Sequence, residues 1–526
     1  MIRKTFVTIL GVFFNNNFLL KYKFRKLKNN NFDNLDFLNT SFDNNENLKE
    51  IIFSQKYFNK KIYDEKSINY HNFSWLNVAK KIGGAKIISI SKKHIINWYK
   101  KKYFTYTFVW DEIIIAKRLL NLIYNYDFYA ISALEEEKEL LKFIILKNFF
   151  ILKFKLNYLK NKKEQPIEIF KALLLLSLIN KLNIKKTILL IEEQINYQIN
   201  ADGFHTSMNP CIQAEYINEL YEIKNICLNF NINVPSLVDY QIINMSSVFK
   251  NLFHKDNTIA LFNGSNNANY DQLIKIYNLQ KDIKSKSLSN VKNGIAIFEL
   301  KKFKVFFDVI IPKSKLLSQN LHSGTLSFEM SFDKEKIITN CGSIEKRIGK
   351  KPEYLRLSAA HSTIIIDNTN ISELIEKKSY KRIPKNITFK KNENEDKIVW
   401  ESSHDGYKIN FNKIVKRKLT IYKKKLAISG QDSILSFGLG KKKIVYNIRF
   451  HLTPACTCLL TNNKKSVLIK TKLNNSWIFN SENKLSLEDS IYVSNGKRIT
   501  KTKQIVISGI LNYSKNVENW EISKLN

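Results

Sequence analysis

The chain has 526 residues, 44% hydrophobic and 25% charged. Wholesale disorder and collagen-like repetition are excluded, and the length asks for more than one core, with two unequal domains expected. Lys and Arg outnumber Asp and Glu by 85 to 47, a formal net charge of +38, which disposes the surface towards nucleic acid, anionic lipid or acidic polysaccharide without choosing among them.

Lys, Asn, Ile, Phe and Tyr are inflated together while Gly (15) and Pro (7) are scarce. Codon drift therefore accounts for the basic excess as well as function does. The short lysine runs at residues 100–102, 423–425 and 441–443 read as solvated faces or hairpin tips.

Residues 1–72 form an N-terminal segment. Its start, MIRKTFVTILGVFF, joins basic residues to a short apolar stretch and reads as a weak leader or anchor, with no small-residue cleavage site after it. No later stretch offers the roughly 18 uninterrupted apolar residues of a membrane span, because lysines break segments such as LKFIILKNFFILKFK.

Over residues 73–285 the apolar positions recur at helical spacing between short polar breaks, which predicts α-helical hairpins. The best-marked helix follows Asn209 and Pro210, a capping amide and a residue suited to the first helical position. In it Ile212, Tyr216, Leu220, Ile223 and Cys227 step by four, four, three and four, with Glu215, Glu219 and Glu222 off that stripe. Trp75, Trp98 and Trp110 read either as core or as stacking faces for sugar rings.

Near Asn293 the period changes to two, and residues 290–526 read as strands. Ile295 and Ile297, then Val305, Phe307 and Val309, flank KKFK as a hairpin. In TLSFEMSF, Leu326, Phe328, Met330 and Phe332 alternate with Ser327, Glu329 and Ser331. Further runs at 357–366, 414–421, 425–428, 444–452 and 504–510 have no helical pattern between them, which argues for a stacked antiparallel sandwich with the domain boundary at 282–293.

Common catalytic signatures are missing: there is no G-x-S-x-G, H-E-x-x-H or G-x-G-x-x-G, and GSIEKRIGK has the wrong spacing for a phosphate loop. The five cysteines contain no C-x-x-C pair, so neither a zinc ribbon nor a disulfide framework is indicated. What stands out is a set of histidines, eight in all, several within dense polar motifs.

ADGFHTSMNP (201–210) gathers Asp202, His205, Ser207 and Asn209 in one loop, where His205 reads as a proton carrier beside the free helix amides or as an ordinary loop residue. LHSGTLSFEMS (321–331) carries His322 and Glu329. RLSAAHSTIIIDN (356–368) puts His361 in strand parity with Leu357, Ala359, Thr363 and Ile365, which fits a core histidine and a ligand surface equally. In IVYNIRFHLTP (444–454), Asn447, Arg449, His451 and Thr453 share a face, either a solvated one or one that binds a carboxylate or, through His451, a metal ion.

Taken in order, these motifs resemble the heparinase II/III-like family of polysaccharide lyases. They are closest to a bacterial branch with a D-G-G-H-x-S-R-N-P loop, an F-N-G segment, an H-A-G-x-L-S-F-E strand and an A-A-H-S-T strand, which stand here as DGFHTSMNP, LFNGS, HSGTLSFE and AAHST. The resemblance covers most of the chain. It implies an incomplete α/α toroid followed by an antiparallel β-sandwich, with the active cleft between them. It also implies β-elimination on a uronic-acid-containing polymer of glycosaminoglycan or alginate type, in the periplasm or cell envelope, with a cytoplasmic location left open by the weak leader.

By the same resemblance His205 takes the place of the loop Asn/His, with Asp202 and Asn209 shaping it, and His361 becomes the carboxylate neutraliser or base. His322, Glu329 and Arg449 join Asp202 and Asn209 as substrate-binding residues. His451 sits where some members contribute a metal ligand, so a structural divalent ion such as zinc is implied there; no cofactor is needed for the chemistry itself. Two departures stand out: residues 248–265 hold no tyrosine where the family places a catalytic one, leaving His254 or Asp256 to substitute, and Met208 replaces the usual Arg. A non-catalytic glycan-binding or envelope protein on the same scaffold is the alternative. Nucleic-acid binding ranks last, since basic and aromatic residues are not interleaved.

Overall fold

The computed structural model describes residues 66–101, 107–159, 161–313, 317–344, 353–375, 380–437, 443–511 and 515–525. The leader-like start and Lys102, Lys441 and Lys442 of the basic runs lie outside them. By internal contacts the chain forms two compact units, residues 1–197 with 219–239, and residues 198–218 with 240–526.

Helices run in chain order as α1 (Ile68–His71), α2 (Trp75–Ile82), α3 (Ala85–Lys101), α4 (Glu112–Tyr124), α5 (Tyr126–Ala130), α6 (Glu135–Asn157), α7 (Ile167–Ile179), α8 (Ile184–Gln198), α9 (Pro210–Asn229), α10 (Ser236–Phe249) and α11 (Tyr270–Asn278). In the first unit α4 packs on both α6 and α7. Residues of α7 are buried nearly all round, the expected pattern for a central helix. Arg118 on α4 is fully buried and donates to the carbonyls of His71 and Val109 and to Asn148 Oδ1 at 2.6–2.8 Å, with its guanidinium 4.3 Å from the Trp98 ring. Trp75, Trp98 and Trp110 are all buried. They are core residues, and the Trp98 and Trp110 rings, with the carbonyls, enclose the guanidinium and make its burial affordable.

The polar side of α9 departs from expectation. Glu219 and Glu222 are directed onto Lys171 of α7, 4% exposed, with Glu219 Oε2 at 2.6 Å and Glu222 Oε2 closer still. Burial pushes the Glu219 carboxyl up to about 8, while the two carboxylates hold the Lys171 ammonium well above its ordinary range against the pull of burial. Helical spacing shows which side chains share a face; it does not show that a charged face has a buried partner.

The helical region ends at Asn278 and the first strand begins at Gly294, with one short helix, Lys408–Phe411, among the strands. The strands are β1 (Gly294–Leu300), β2 (Phe303–Val309), β3 (Phe328–Phe332), β4 (Glu335–Thr339), β5 (Ile364–Ile366), β6 (Glu373–Leu374) and β7 (Tyr380–Arg382), which pair only with each other, β8 (Ile387–Glu393), β9 (Lys397–His404), β10 (Lys413–Tyr422), β11 (Ala427–Ser436), β12 (Val445–Leu452), β13 (Thr457–Leu460), β14 (Ser466–Lys470), β15 (Ser476–Ser481), β16 (Leu485–Tyr492), β17 (Thr500–Ile510) and β18 (Lys515–Lys524). They form two eight-stranded antiparallel sheets. The first has the order β1-β2-β3-β4-β12-β17-β16, with β5 also paired to β12; the second is β13-β14-β15-β18-β11-β10-β9-β8. The expected hairpin is β1 and β2, in register from Gly294 with Val309 to Leu300 with Phe303.

The sheets meet through aromatic pairs. Phe303, Phe307 and Phe328 of the first stack on Trp477, Trp400 and Trp520 of the second at 6.2, 6.0 and 5.5 Å, each adding about 0.5–1.5 kcal/mol beyond area burial. Among these rings lies an ion pair, Arg417 with Asp432, both fully buried, at 2.6 and 2.9 Å. Arg417 Nη1 donates in addition to the carbonyls of Leu326 and Ser362 at 2.9 and 2.8 Å. One guanidinium thereby ties the second sheet to the two histidine-bearing segments of the first.

The run at 357–366 is not one strand. It is a 3-10 turn (Ser358–Ala360), an extended step through His361, and only then β5. Ser358 accounts for the break: its Oγ accepts from the amide of Ile371 and donates to the carbonyl of Ser323, taking the segment out of the ladder.

Candidate active site

All the residues of this site belong to the second unit. The loop before α9 is locally closed. Asn200 Oδ1 accepts the amides of Asp202 and Phe204, Gln213 Oε1 accepts that of His205, and Asn209 Oδ1 caps α9 through the amides of Cys211 and Ile212. Gly203 sits at φ +95°, and a Cβ there would lie 2.8 Å from Asn244 Oδ1. His205 is buried, and its Nδ1 accepts from the Ser207 amide (3.1 Å) beside the Ser207 hydroxyl (2.8 Å). The neutral ring therefore carries its proton on Nε2, and burial lowers its pKa to about 3. Asp202 braces the loop from outside, its Oδ2 taking the amides of Lys292 and Asn293.

Asn263, in the LFNGS segment, joins this loop to the histidine pair. Asn209 Nδ2 donates to its carbonyl (2.8 Å), its Nδ2 donates to the Met208 carbonyl (3.2 Å), and its Oδ1 accepts the His322 amide (3.1 Å). Met208, Asn263 and Leu326 all take left-handed backbone, at φ 53°, 48° and 61°. Asn tolerates this; Met and Leu do so at a cost of roughly 1 kcal/mol or more. Strain of this kind gathers where surroundings dictate geometry, and Arg417 and Asp308 hold Leu326 by its carbonyl and its amide.

His322 Nδ1 lies 3.2 Å from His361 Nε2, with the rings edge to face. His361 Nδ1 lies 2.8 Å from the Leu357 carbonyl, which can only accept. His361 therefore carries its proton on Nδ1, its Nε2 accepts from His322 Nδ1–H, and the lone pair of neutral His322 falls on Nε2. Burial lowers the His361 pKa to about 4, so the His361 tautomer holds through neutral pH. Hydroxyls stiffen the frame, with Ser323 Oγ 2.8 Å from Ser358 Oγ and Thr363 Oγ1 donating to the Thr325 carbonyl.

Gly324 makes room for the pair, since a Cβ there would come within 2.5 Å of His361 Cδ2. We expect Gly324→Ala to cost about 1–3 kcal/mol in denaturant melts and to displace the His361 ring; unchanged stability would mean that the close approach is not what keeps a glycine there.

Other candidates are placed elsewhere. His254 uses both nitrogens, on Ser331 Oγ and on Glu329 Oε2 at 2.9 and 2.8 Å. Glu329 is fully buried and further accepts from the Leu261 and Asn340 amides and from Thr339 Oγ1. Neither keeps capacity for a substrate, and together they pin the 254–261 segment to β3. The polar face of TLSFEMSF is thus a buried hydrogen-bonding layer. Arg449 pairs with Glu488 at 3.2 Å. His451 Nδ1 meets Ser490 Oγ at 2.7 Å and Cys341 Sγ at 3.6 Å. No group of three or more His, Cys, Asp or Glu side chains able to hold a metal occurs among the described residues. One imidazole and one thiol do not make up the four-ligand set that zinc takes, so the residues around His451 do not fit the implied ion. All five cysteines are free thiols.

Two residues of the site were missed in the sequence. Asn263 had no role beyond its motif. Tyr216, assigned to the packing stripe of α9, has its ring 4.9 Å from that of His205; its position one turn and a half into the helix after Asn209 was the available signal.

Residues 284–521 match the family described as heparinase II/III-like, C-terminal. Similar folds occur in a solved heparinase III gene product with methylated lysines (TM-score 0.65, 15% identity, 88% of this chain and 79% of that one). A heparan sulfate lyase, HepC from Pedobacter heparinus, also matches (0.61, 15%, 88% and 78%), as does a further heparinase III (0.63, 15%, 87% and 76%). No curated protein matches by sequence. Among the described residues no helix is long and apolar enough to cross a membrane. Behind a helical region, residues 284–521 are thus a heparinase II/III-like C-terminal domain, and the chain shares its fold with the solved heparinases.

Proposed function

We propose that the protein is a lyase that cleaves a uronic-acid-containing polysaccharide by β-elimination, using the His322–His361 pair and the His205 loop. The observation that carries this reading is the directed pair: a carbonyl orders the His361 tautomer, and His361 orders that of His322, leaving a lone pair at His322 Nε2. A neutral imidazole held that way suits removal of the C5 proton beside a carboxylate. As it leaves, its electron pair forms the C4–C5 double bond and the C4–O4 bond breaks. The Nε2–H of His205 and the amides of Asn209 and Asn263 are of the type that steadies the developing charge. Tyr216, beside His205, supplies the proton to the departing O4 and replaces the tyrosine missing from residues 248–265.

The substrate class follows the similar solved lyases, one of which is described as acting on heparan sulfate, and the net charge of +38 favours a polyanion. Such polymers lie outside the cytoplasm, so we place the protein in the periplasm or cell envelope. The test is a panel of uronate polymers, heparan sulfate and alginate included, followed by ultraviolet absorbance of unsaturated ends. Growth of that signal supports the lyase; saturable binding to a polymer without any signal replaces it with the glycan-binding alternative.

A further inference from the structure

A second polar pocket, of about 350 Å³, lies beside α11 in the second unit and is lined by Lys250, Lys255, Lys304, Glu299, Tyr277 and Asn257 among others. Its charges do not balance, with three ammonium groups facing one carboxylate. Glu299 is shared, one oxygen with Lys255 and the other with Lys304 at 2.7 Å. Lys250 has only carbonyl partners, those of Lys281 and Ile283 at 3.1 and 2.6 Å, and lies 5.8 Å from the Tyr277 ring. His254, which also borders the pocket, is neutral above pH about 4. Two positive charges are therefore in excess.

Lys304 shows that the pocket is built rather than incidental. Its side chain is 4% exposed, on β2, and burial pulls its pKa below the ordinary lysine range with Glu299 opposing. Burying an ammonium on half of a carboxylate is unfavourable unless something else neutralises it. An oxyanion among the three ammonium groups would do so, and the Tyr277 hydroxyl and Asn257 amide have the chemistry to complete its shell.

We propose that this pocket binds a tetrahedral dianion, the sulfate or phosphate group, through Lys250, Lys255 and Lys304. The site does not depend on elimination chemistry: a chain that cleaves nothing would keep it, and an active lyase can lack it, so the two readings fail separately.

The test is calorimetric titration of the full chain with inorganic sulfate and with inorganic phosphate at constant ionic strength. One saturable site is expected, weakened roughly tenfold by Lys250→Gln and again by Lys255→Gln, and unchanged by Lys424→Gln at the exposed tip between β10 and β11. Both test lysines are only partly buried, so these variants should fold even if Lys304→Gln does not. A sulfated disaccharide that displaces the ion while its desulfated form does not supports a sugar-borne group; displacement by phosphate alone supports a free ion. Equal affinity in wild type, Lys250→Gln and Lys255→Gln, or no saturable binding, overturns the proposal.

Discussion

Replacing His361 by alanine is expected to lower the rate of unsaturated-product formation by roughly 10²–10⁴-fold, the usual worth of a positioned acid or base, while the fold survives. His361 links the Leu357 carbonyl to the His322 ring. Without it the His322 Nδ1–H loses that acceptor, and the proton can sit on the nitrogen that needs the lone pair. His322→Ala should lose as much, and the double variant little more, because the two rings act as a unit. Tyr216→Phe should lose rate with KM nearly kept, since a phenol that donates only to the leaving oxygen does not help binding. Rates are to be read beside melting curves. Full activity in His361→Ala with unchanged stability would remove the histidine pair from the mechanism, and equal effects on kcat and on folding would reduce it to a structural element.

Much of the architecture was readable because it rests on periodicity. The change from helical spacing to alternation near Asn293 is the step from α11 to β1, and the capped helix after Asn209 is α9. What alternation cannot report is whether a polar face meets water. Ser327, Glu329 and Ser331 read only as the polar face opposite the apolar one, with Glu329 taken as a substrate ligand, and they are buried, since His254 and the amides of Leu261 and Asn340 converge on Glu329. The same blindness hid the partner of Glu219 and Glu222. Residues 357–366 departed from one strand because Ser358 and Ser362 bond to backbone that only the fold brings near, at Ser323, Ile371, Thr339 and His451, and break a ladder that their apolar neighbours favour.

The site was legible as a set of motifs and not as an arrangement. DGFHTSMNP, LFNGS, HSGTLSFE and AAHST marked the right segments, yet the bonds that matter span 54 residues from Asn209 to Asn263, 59 from Asn263 to His322 and 39 from His322 to His361. Five candidate histidines looked alike in sequence, and His322 is told apart by its bond to His361. Second neighbours separate the other four: a carbonyl behind His361, a carboxylate behind His254, a hydroxyl behind His451, and a loop amide behind His205.

Those same burials make the second unit sensitive to acid, and loss of its native structure is expected as pH falls from about 6 to about 4. His205, His254, His361, His404 and His451 are all buried there, and burial lowers their pKa values to about 3, 4, 4, 3 and 3. An imidazole in the unfolded chain titrates near 6.5. Between those limits the unfolded chain binds protons that the folded one refuses. The stabilisation is therefore whole above about 6.5 and drains away as pH drops through the folded values. At about 1.4 kcal/mol per unit, one such ring stakes roughly 3 kcal/mol, and several together rival the 5–15 kcal/mol that typically holds a domain. Asp308 works the other way, its carboxyl pushed up to about 8 by burial, but it is one group against five. Tryptophan fluorescence should report the transition, since Trp400, Trp477 and Trp520 stack between the sheets. In His404→Gln the midpoint should move to lower pH, provided the amide keeps the bond from the Gly406 amide. Native fluorescence retained at pH 3.5 would mean that these rings accept protons in place, and the tautomer argument for His322 and His361 would lose its footing with them.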